Sequence, residues 1–300
     1  VGGAEHAVGH LMYSRFWTKV LADEGIVNFR EPFPVLRSQG VLHVRDPQTG
    51  HIERMSKSKG NVVAPEDVIA HYGADVTRLH LLFMGPFETN VVWEVEDDGS
   101  PAADATKPQH IEGVRRFLQR IWRLADSKPH PPVCAKAPSR GGCQANADAD
   151  ENLERAQHRT VQEVTAQVEI MHFNKAISAL MTFTNAIEAY RRERGDTPTF
   201  IETRETLLHL LAPFAPFIAE ELWAHLGGTS SIHQRPWPTW DRAKAQAETV
   251  EIAVQVNGKV RDRIVIANDV DEATIRAQAL ASPGVQQAVN SNAIQRVIVV

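Results

Sequence analysis

The strongest constraint on the fold is a change in the spacing of apolar residues along the chain. Between about residues 111 and 226 apolar side chains recur every three or four positions, which predicts amphipathic α-helices. From Val250 onward they alternate with polar residues at a period of two, which predicts β-strands. The sequence therefore predicts a helix bundle that is followed by a small module containing strands.

Interruptions in the helical pattern divide the predicted bundle into separate helices. Residues 111–124 form the first amphipathic pattern, and residues 153–171 form a second. The phase slips near Phe173, which predicts a break before a third helix. Two prolines bend the last pattern, which covers residues 207–222. Residues 128–150 are rich in Pro, Gly, Ala and Ser and are predicted to be a long loop.

The first 96 residues combine helical and strand patterns. A helix is predicted over residues 5–24, with Gly25 at its end. Short buried strands are predicted at 35–36 and 41–44. Two further helices are predicted after this point, the first beginning at Pro65 and the second running from about Asp75 to Met84.

The carboxyl-terminal module is predicted to be α+β. Asn257-Gly258 is a strong signal for a hairpin between the strand that begins at Val250 and a return strand. Strand alternation on the return strand would assign Val260, Ile264 and Ile266 to the core, and it would place Lys259, Arg261 and Arg263 together on one face. A helix over 271–281 and a strand over 294–300 complete the prediction.

Composition limits the class of protein. The chain is 43% hydrophobic and 23% charged, as in ordinary globular proteins. Its formal charge of −5 excludes a globally basic nucleic-acid coat, although a local basic patch stays possible. No apolar run approaches the roughly 18–20 residues of a membrane span. Two cysteines cannot form a disulfide framework, and they are consistent with a reducing compartment.

The segment from Arg54 to Asn61 carries the most chemical information. Its three basic residues, Arg54, Lys57 and Lys59, lie among small polar residues, which predicts a loop. Such a loop can close over a polyphosphate and neutralise the charge that builds up on a leaving pyrophosphate. The alternative is a solvated basic loop on the surface.

The order of residues in this loop, Met-Ser-Lys-Ser-Lys-Gly-Asn, resembles the signature loop of class I aminoacyl-tRNA synthetases, whose usual form is Lys-Met-Ser-Lys-Ser. Arg54 replaces the first lysine of that form and keeps its charge. Further stretches resemble the leucyl-tRNA synthetases of the bacterial type. They are Gly2–Ala7 with His10–Phe16, Tyr72–Asp75 with Arg78-Leu79, Leu211–Pro216 through Glu220–Trp223, Ser231–His233 with Trp237-Pro238, and Val254–Asp262.

The resemblance implies a multidomain fold of α/β and α parts. Residues 1–96 would be the end of a Rossmann-like, nucleotide-binding catalytic domain of class I, carrying the Met-Ser-Lys-Ser loop and the helices after it. Residues 97–245 would be a helical bundle of the anticodon-binding type, with 128–150 as a loop. Residues 246–300 would be a small α+β domain. The chain would be a carboxyl-terminal fragment of a longer enzyme.

The resemblance also implies a function, leucine–tRNA ligation in two steps, with leucyl-adenylate as the intermediate. The implied partners are ATP with Mg²⁺, leucine and tRNA(Leu), and the full-length enzyme is expected to be a cytoplasmic monomer with no membrane association. The fragment alone is expected to be inactive. Two alternatives stay open: a non-catalytic tRNA-binding module or split subunit, and a valyl or isoleucyl relative.

Site residues follow from the same resemblance. The catalytic residues would be Lys57 and Arg54. The residues implied to line the ATP and adenylate site are Gly2, Gly3, Glu5, His6, His10, Met55, Ser56 and Ser58. No protein-bound metal is expected. The pair of His6 and His10 has no evident third ligand in the sequence, and neither Cys134 nor Cys143 belongs to a Cys-x-x-Cys pair.

Two basic patches are candidate tRNA contacts. Arg116, Arg120 and Arg123 recur on the polar side of the first bundle helix, where they can follow a phosphate backbone. The alternative is an ordinary solvated face. Lys259, Arg261 and Arg263 on the hairpin form the second patch. Trp237 and Trp240 are predicted to pack at a domain junction, and stacking on an RNA base is the less favoured interpretation.

Overall fold

The computed structural model describes residues 6–46, 49–95, 104, 106–126, 142–246, 249–267, 270–289, 294 and 297. A π-helix covers Ala7–Met12 and 3₁₀ turns cover Lys57–Lys59 and Ile232–Gln234. The strands are β1 Leu42–Arg45, β2 Ile52–Arg54, β3 Val91–Trp93, β4 Thr249–Val256 and β5 Lys259–Ala267. The α-helices are α1 Tyr13–Asp23, α2 Pro65–Tyr72, α3 Ala74–Phe83, α4 Ile111–Asp126, α5 Gly142–Glu169, α6 Phe173–Arg194, α7 Pro198–Leu211, α8 Pro216–His225, α9 Arg242–Ala245, α10 Glu272–Ala281 and α11 Pro283–Val289. In the described part of the chain, no helix is both long and apolar enough to span a bilayer.

A three-stranded sheet forms near the start of the chain, with β1 in the centre. β2 pairs with β1 in antiparallel fashion, and β3, which the sequence did not predict, pairs with it in parallel. The strand predicted at Val35-Leu36 is wrong, because both residues are exposed and lie outside any strand. Both edges of β1 are already occupied, so residues 35–36 have no free edge of this strand to pair with.

The predicted first helix begins in the described chain as a π-helix and continues as α1, and Gly25 follows it with a φ of 70°. The apolar face of this helix is not buried. Val8, Met12, Phe16 and Trp17 are all exposed by more than half. In the described residues this face therefore contributes nothing to the core.

Helices α4 to α8 form the bundle, and most of the side chains in its interior are apolar. Leu180, Leu207 and Leu211 are completely buried. The predicted break near Phe173 is confirmed, because α5 ends at Glu169 and α6 begins at Phe173. The last helical pattern is likewise divided at its two prolines into α7 and α8.

The long loop predicted over 128–150 is wrong for its last nine residues. These residues form the first turns of α5, which begins at Gly142. One anchor of these turns is Asp150, which accepts a hydrogen bond from the hydroxyl of Tyr190 on α6. Residues 128–141, most of the predicted 97–108 linker, and most of the predicted 294–300 strand lie outside the described residues.

Helices α2 and α3 pack into the same core as the bundle. Leu79 on α3 is completely buried in one cluster with the bundle helices. Phe87, which precedes β3, makes an edge-to-face contact with Phe173, and their ring centroids lie 5.9 Å apart. The sheet-bearing segment and the bundle therefore share one hydrophobic interior.

The hairpin of β4 and β5 forms as predicted, with Asn257 and Gly258 both at positive φ in its turn. A β-bulge interrupts it, however, because Val254 pairs with Asp262 while Gln255 pairs with Val260. The extra residue is Arg261.

The bulge corrects two predictions about β5. Lys259 lies opposite Val256 and Arg263 lies opposite Ala253, so these two basic residues lie on opposite faces of the hairpin. The single basic face predicted for Lys259, Arg261 and Arg263 is therefore wrong. Val260 is 53% exposed and does not belong to the core, whereas Ile266 is buried as predicted.

The unpredicted helix α11 packs against the bulge. The amide of Gly284 donates to the carboxylate of Asp262 at 2.9 Å, which lowers the pKa of that carboxyl group. A β-carbon at Gly284 would lie 2.1 Å from the backbone oxygen of Arg261, so only glycine permits this approach. Helix α10 begins as predicted, with Asp271 accepting from the amide of Thr274.

Burial of His80 on α3 gives the fold a pH dependence. The Nε2 atom of His80 is buried and has no hydrogen-bond partner among the described residues, and the ring meets Trp93 edge to face at 5.6 Å. Burial, with a smaller effect of His110, lowers the pKa of His80 from 6.5 to about 4.

We expect the stability of the protein to fall as the pH drops from about 6.5 to about 4. In that window the unfolded chain binds a proton that the folded protein excludes, a difference worth about 3 kcal/mol when complete. Urea denaturation across this range, compared with His80→Phe, measures the contribution of His80. The substituted protein should lose less stability on acidification, whereas His51→Gln at an exposed position should behave like the unsubstituted protein. Equal losses in all three proteins would contradict the assignment.

Candidate functional site: a braced basic turn and an arginine-bearing helix

Lys57 lies in a short turn that the local sequence shapes closely. β2 ends at Arg54, and the 3₁₀ turn of Lys57–Lys59 ends at Gly60, whose φ is 69°. A residue with a β-carbon is strained at this φ, so glycine lets the chain leave the turn toward α2. Here the prediction of a simple loop is refined to a strand end followed by a 3₁₀ turn.

Asn61 braces this turn from inside. Its Oδ1 accepts the amide of Ser56 at 2.7 Å, and its Nδ2 donates to Glu53 Oε1 at 2.7 Å and to the backbone oxygen of Arg54 at 3.3 Å. Across the turn, the hydroxyls of Ser56 and Ser58 lie 2.8 Å apart. One side chain therefore connects both ends of the turn to β2.

The two lysines of the turn have different surroundings. Lys59 forms an ion pair with Glu53, and its hydrogen bond lowers the pKa of that carboxyl group. Lys57 is exposed and makes no ion pair with any residue that the structure describes. The structure thus neutralises one ammonium and presents the other to solvent, where an anionic ligand can reach it.

The predicted adenylate-binding residues at the start of the chain are only partly visible. Gly2, Gly3 and Glu5 lie outside the described residues. His6 is exposed, and the ring centroid of His10 lies 5.9 Å from that of Phe33. In the described chain, the hydrogen bonds, ion pairs and ring contacts of residues 6–34 stay within that segment. No such contact joins them to Lys57.

The arginines on α4 also differ in their surroundings. Arg120 donates to Glu188 Oε1 at 3.1 Å and to Asn185 Oδ1 at 2.6 Å, and the hydrogen bond with Glu188 raises the pKa of Arg120. Arg116 and Arg123 are exposed and form no ion pair with the described part of the chain. The outer face of α4 therefore offers two guanidinium groups to an external anion.

The structure also describes Trp237, the tryptophan predicted to pack at a domain junction. Trp237 donates its indole N–H to Thr165 Oγ1 on α5 at 2.8 Å, which supports a packing role. Cys134 lies outside the described residues, as does the side chain of Cys143. Among the residues with described side chains, no three His, Cys, Asp or Glu residues cluster closely enough to hold a metal ion.

Sequence reasoning missed a polar contact between α3 and the turn that connects α7 to α8. Asp75 accepts hydrogen bonds from the amides at the start of α8, and Arg78 donates to the backbone oxygen of Pro213 at 3.2 Å. We call this pair of contacts the α3–α8 clasp. Both of its sides lie in stretches quoted above for their resemblance, but nothing in the sequence shows that they touch.

Comparison with known proteins places both parts of the chain. Residues 12–94 match the family described as tRNA synthetases class I (I, L, M and V). Residues 150–276 match the anticodon-binding domain of tRNA ligase.

Full-length relatives extend the match. The leucine–tRNA ligase of Synechococcus sp. (strain JA-3-3Ab) is 39% identical over all of this chain, and that of Trichormus variabilis is 40% identical. The chain spans 37% and 36% of their lengths. The LeuRS of Agrobacterium radiobacter K84, solved in a ternary complex with tRNA and LeuAMS, superposes with a TM-score of 0.70 at 34% identity. This chain is covered completely and spans 36% of that protein.

The fold and both matches indicate the class that the chain resembles: residues 12–94 are similar to class I tRNA synthetases, and residues 150–276 are similar to the anticodon-binding domain of tRNA ligase. Within that class the chain is similar over its whole length to leucine–tRNA ligases, and it spans a little more than one third of their length.

Proposed function

We propose that the chain is the carboxyl-terminal part of a leucine–tRNA ligase. Such an enzyme joins leucine to ATP, which releases pyrophosphate and leaves leucyl-adenylate, and then transfers the leucyl group to tRNA(Leu). The identity over the whole chain supports this proposal, as does the similar structure solved with tRNA and LeuAMS. The observation that carries it is the braced turn that presents Lys57.

Lys57 would act during the first step. Negative charge builds on the β- and γ-phosphates as the bond between the α-phosphate and pyrophosphate breaks, and a positioned ammonium group stabilises that charge. The brace from Asn61 fixes the backbone around Lys57, and pairing with Glu53 prevents Lys59 from competing for the same anion. Arg54, at the end of β2, would provide a second positive charge beside the phosphates.

The remaining substrate contacts are proposals of the same kind. Met55, Ser56 and Ser58 would line the ATP side of the turn. The adenosine and leucine moieties would be bound by Gly2, Gly3, Glu5, His6 and His10. Mg²⁺ would arrive with ATP, and we expect the full-length enzyme to be monomeric and cytoplasmic.

Lys57→Ala in the full-length enzyme should lower leucine-dependent exchange of pyrophosphate into ATP by roughly 10²–10³-fold, the scale for loss of one transition-state charge contact. Affinity for tRNA should hardly change. Lys59→Ala is the matched control, because its ammonium is already paired, and exchange should stay within a few-fold. If Lys57→Ala retains activity at the level of the control, Lys57 has no catalytic role.

The exposed arginines of α4 would contact the phosphate backbone of tRNA. Each phosphate contact releases counterions, so binding weakens as salt rises, with a slope of about −0.7 to −0.9 per contact. Lys259, Arg261 and Arg263 would contribute separately, from two faces of the hairpin rather than from one.

Replacing Arg116 and Arg123 together by Gln should flatten the logarithmic salt dependence of tRNA affinity by up to about two units. Arg120→Gln, at a position already held by Glu188, should change the slope less. Filter binding or fluorescence anisotropy at several salt concentrations measures it. An unchanged slope in the double variant would exclude this face of α4 from the RNA interface.

The principal alternative is a non-catalytic tRNA-binding module. It predicts the same salt behaviour but no effect of Lys57 on any reaction, so the exchange assay separates the two proposals.

A further inference from the structure

Asp75 is an unusual helix cap because it reaches α8 from a different part of the chain. Its Oδ2 accepts the amide of Ile218 at 2.6 Å, and its Oδ1 accepts the amide of Phe217 at 3.3 Å. Asp75 itself is only 9% exposed. A carboxylate at a helix N-terminus is stabilised by the free amides and by the helix dipole.

Helix α8 has no local substitute for this cap. Its N-cap residue is Ala215, which has no side-chain acceptor, and Pro216 at the first position lacks an amide hydrogen. The next two amides are those bound by Asp75. The start of α8 therefore depends on a residue more than 140 positions earlier in the sequence.

Arg78 fixes the opposite side of the same turn. It lies about one helical turn after Asp75 on α3 and donates to the oxygen of Pro213, where α7 has just ended. One face of α3 thus binds a carbonyl oxygen within the turn, that of Pro213, and the first amides of α8 after it. This arrangement restrains both the position and the rotation of the turn relative to α3.

The α3–α8 clasp also lies close in sequence to the turn of Lys57. Only α2 and its flanking residues separate Lys57 from α3, and Met55 and Val63 on either side of Lys57 pack against the shared core. Beside the clasp, an open groove of about 520 Å³ is lined by residues of α3, α4 and α8.

We infer that Asp75 and Arg78 are positioning residues for the transfer of leucine to tRNA. They align the tRNA-binding bundle with the segment that carries Lys57, so that a tRNA bound to the bundle delivers its acceptor end to the adenylate. The inference rests on the proposed function. It assigns these residues to the second step, since the adenylate would form on the segment that carries Lys57, whereas the tRNA would be bound by the bundle.

The test uses the full-length enzyme with two separate substitutions, Asp75→Ala and Arg78→Met. The side chain of Arg78 is exposed, so its replacement endangers folding less than replacement of the buried Asp75 does. Pyrophosphate exchange should stay within about twofold of the unsubstituted enzyme. Charging of tRNA should fall by about 10–100-fold in kcat/KM, because small misplacements of reacting groups have effects of this size. Asp75→Asn keeps one acceptor oxygen and should restore charging in part.

Thr197→Ala is the matched control for lost stability. Thr197 caps α7 inside the bundle by accepting the amide of Phe200 at 3.2 Å, so its loss weakens a helix without touching the junction. It should lower Tm but leave the ratio of charging to exchange unchanged. The inference is overturned if Asp75→Ala and Arg78→Met leave that ratio unchanged, or if Thr197→Ala lowers it equally. Absence of exchange in the unsubstituted enzyme would instead refute the proposed function.

Discussion

The buried carboxylate of Asp75 determines how the two main parts of this chain meet. A buried ionised group is tolerated only where hydrogen bonds compensate its lost hydration, and here the two amides at the start of α8 provide them. The same bonds satisfy helix donors that have no local acceptor. The carboxylate of Asp75 and the first amides of α8 therefore satisfy each other's hydrogen bonds. These bonds hold the turn between α7 and α8 against α3. Helix α2, which packs against α3, follows the turn of Lys57 in the chain.

Ion pairing within the protein determines which basic side chains can bind an external anion. The sequence shows two lysines in one turn and four arginines on one helix, with nothing to rank them. The structure ranks them, because Glu53 neutralises Lys59 and Glu188 neutralises Arg120. Lys57, Arg116 and Arg123 stay available to an external anion among the described residues. An acidic protein can in this way present local positive sites for anionic ligands.

The features predicted correctly are those that neighbouring residues determine. The break at Phe173 and the turn at Asn257-Gly258 follow from local stereochemistry, whereas the bend predicted at Pro213 and Pro216 is a complete separation of α7 from α8. Within the candidate site, small polar residues predicted a loop around Lys57, but they did not show the brace that Asn61 supplies.

The errors arise where distant residues decide. Val35-Leu36 has strand-forming residues but no free edge of β1, and the bulge at Arg261 accompanies close contact with Gly284 of α11. The alternation of residues along β5 does not reveal that contact. The prediction that Lys259 and Arg263 share a face was therefore wrong. The clasp was missed for the same reason, because helical periodicity shows that Asp75 lies on a helix but not what it faces.

Hydrogen exchange at the amides of Phe217 and Ile218 tests the central constraint most directly. If Asp75 holds these amides, Asp75→Ala should speed their exchange by roughly tenfold or more, since a hydrogen bond to a charged group contributes about 1.5–3 kcal/mol. The amide of Phe200, which Thr197 caps, should exchange at its original rate. Unchanged protection of Phe217 and Ile218 in the variant would show that the start of α8 does not depend on Asp75, and the account of the junction would fail.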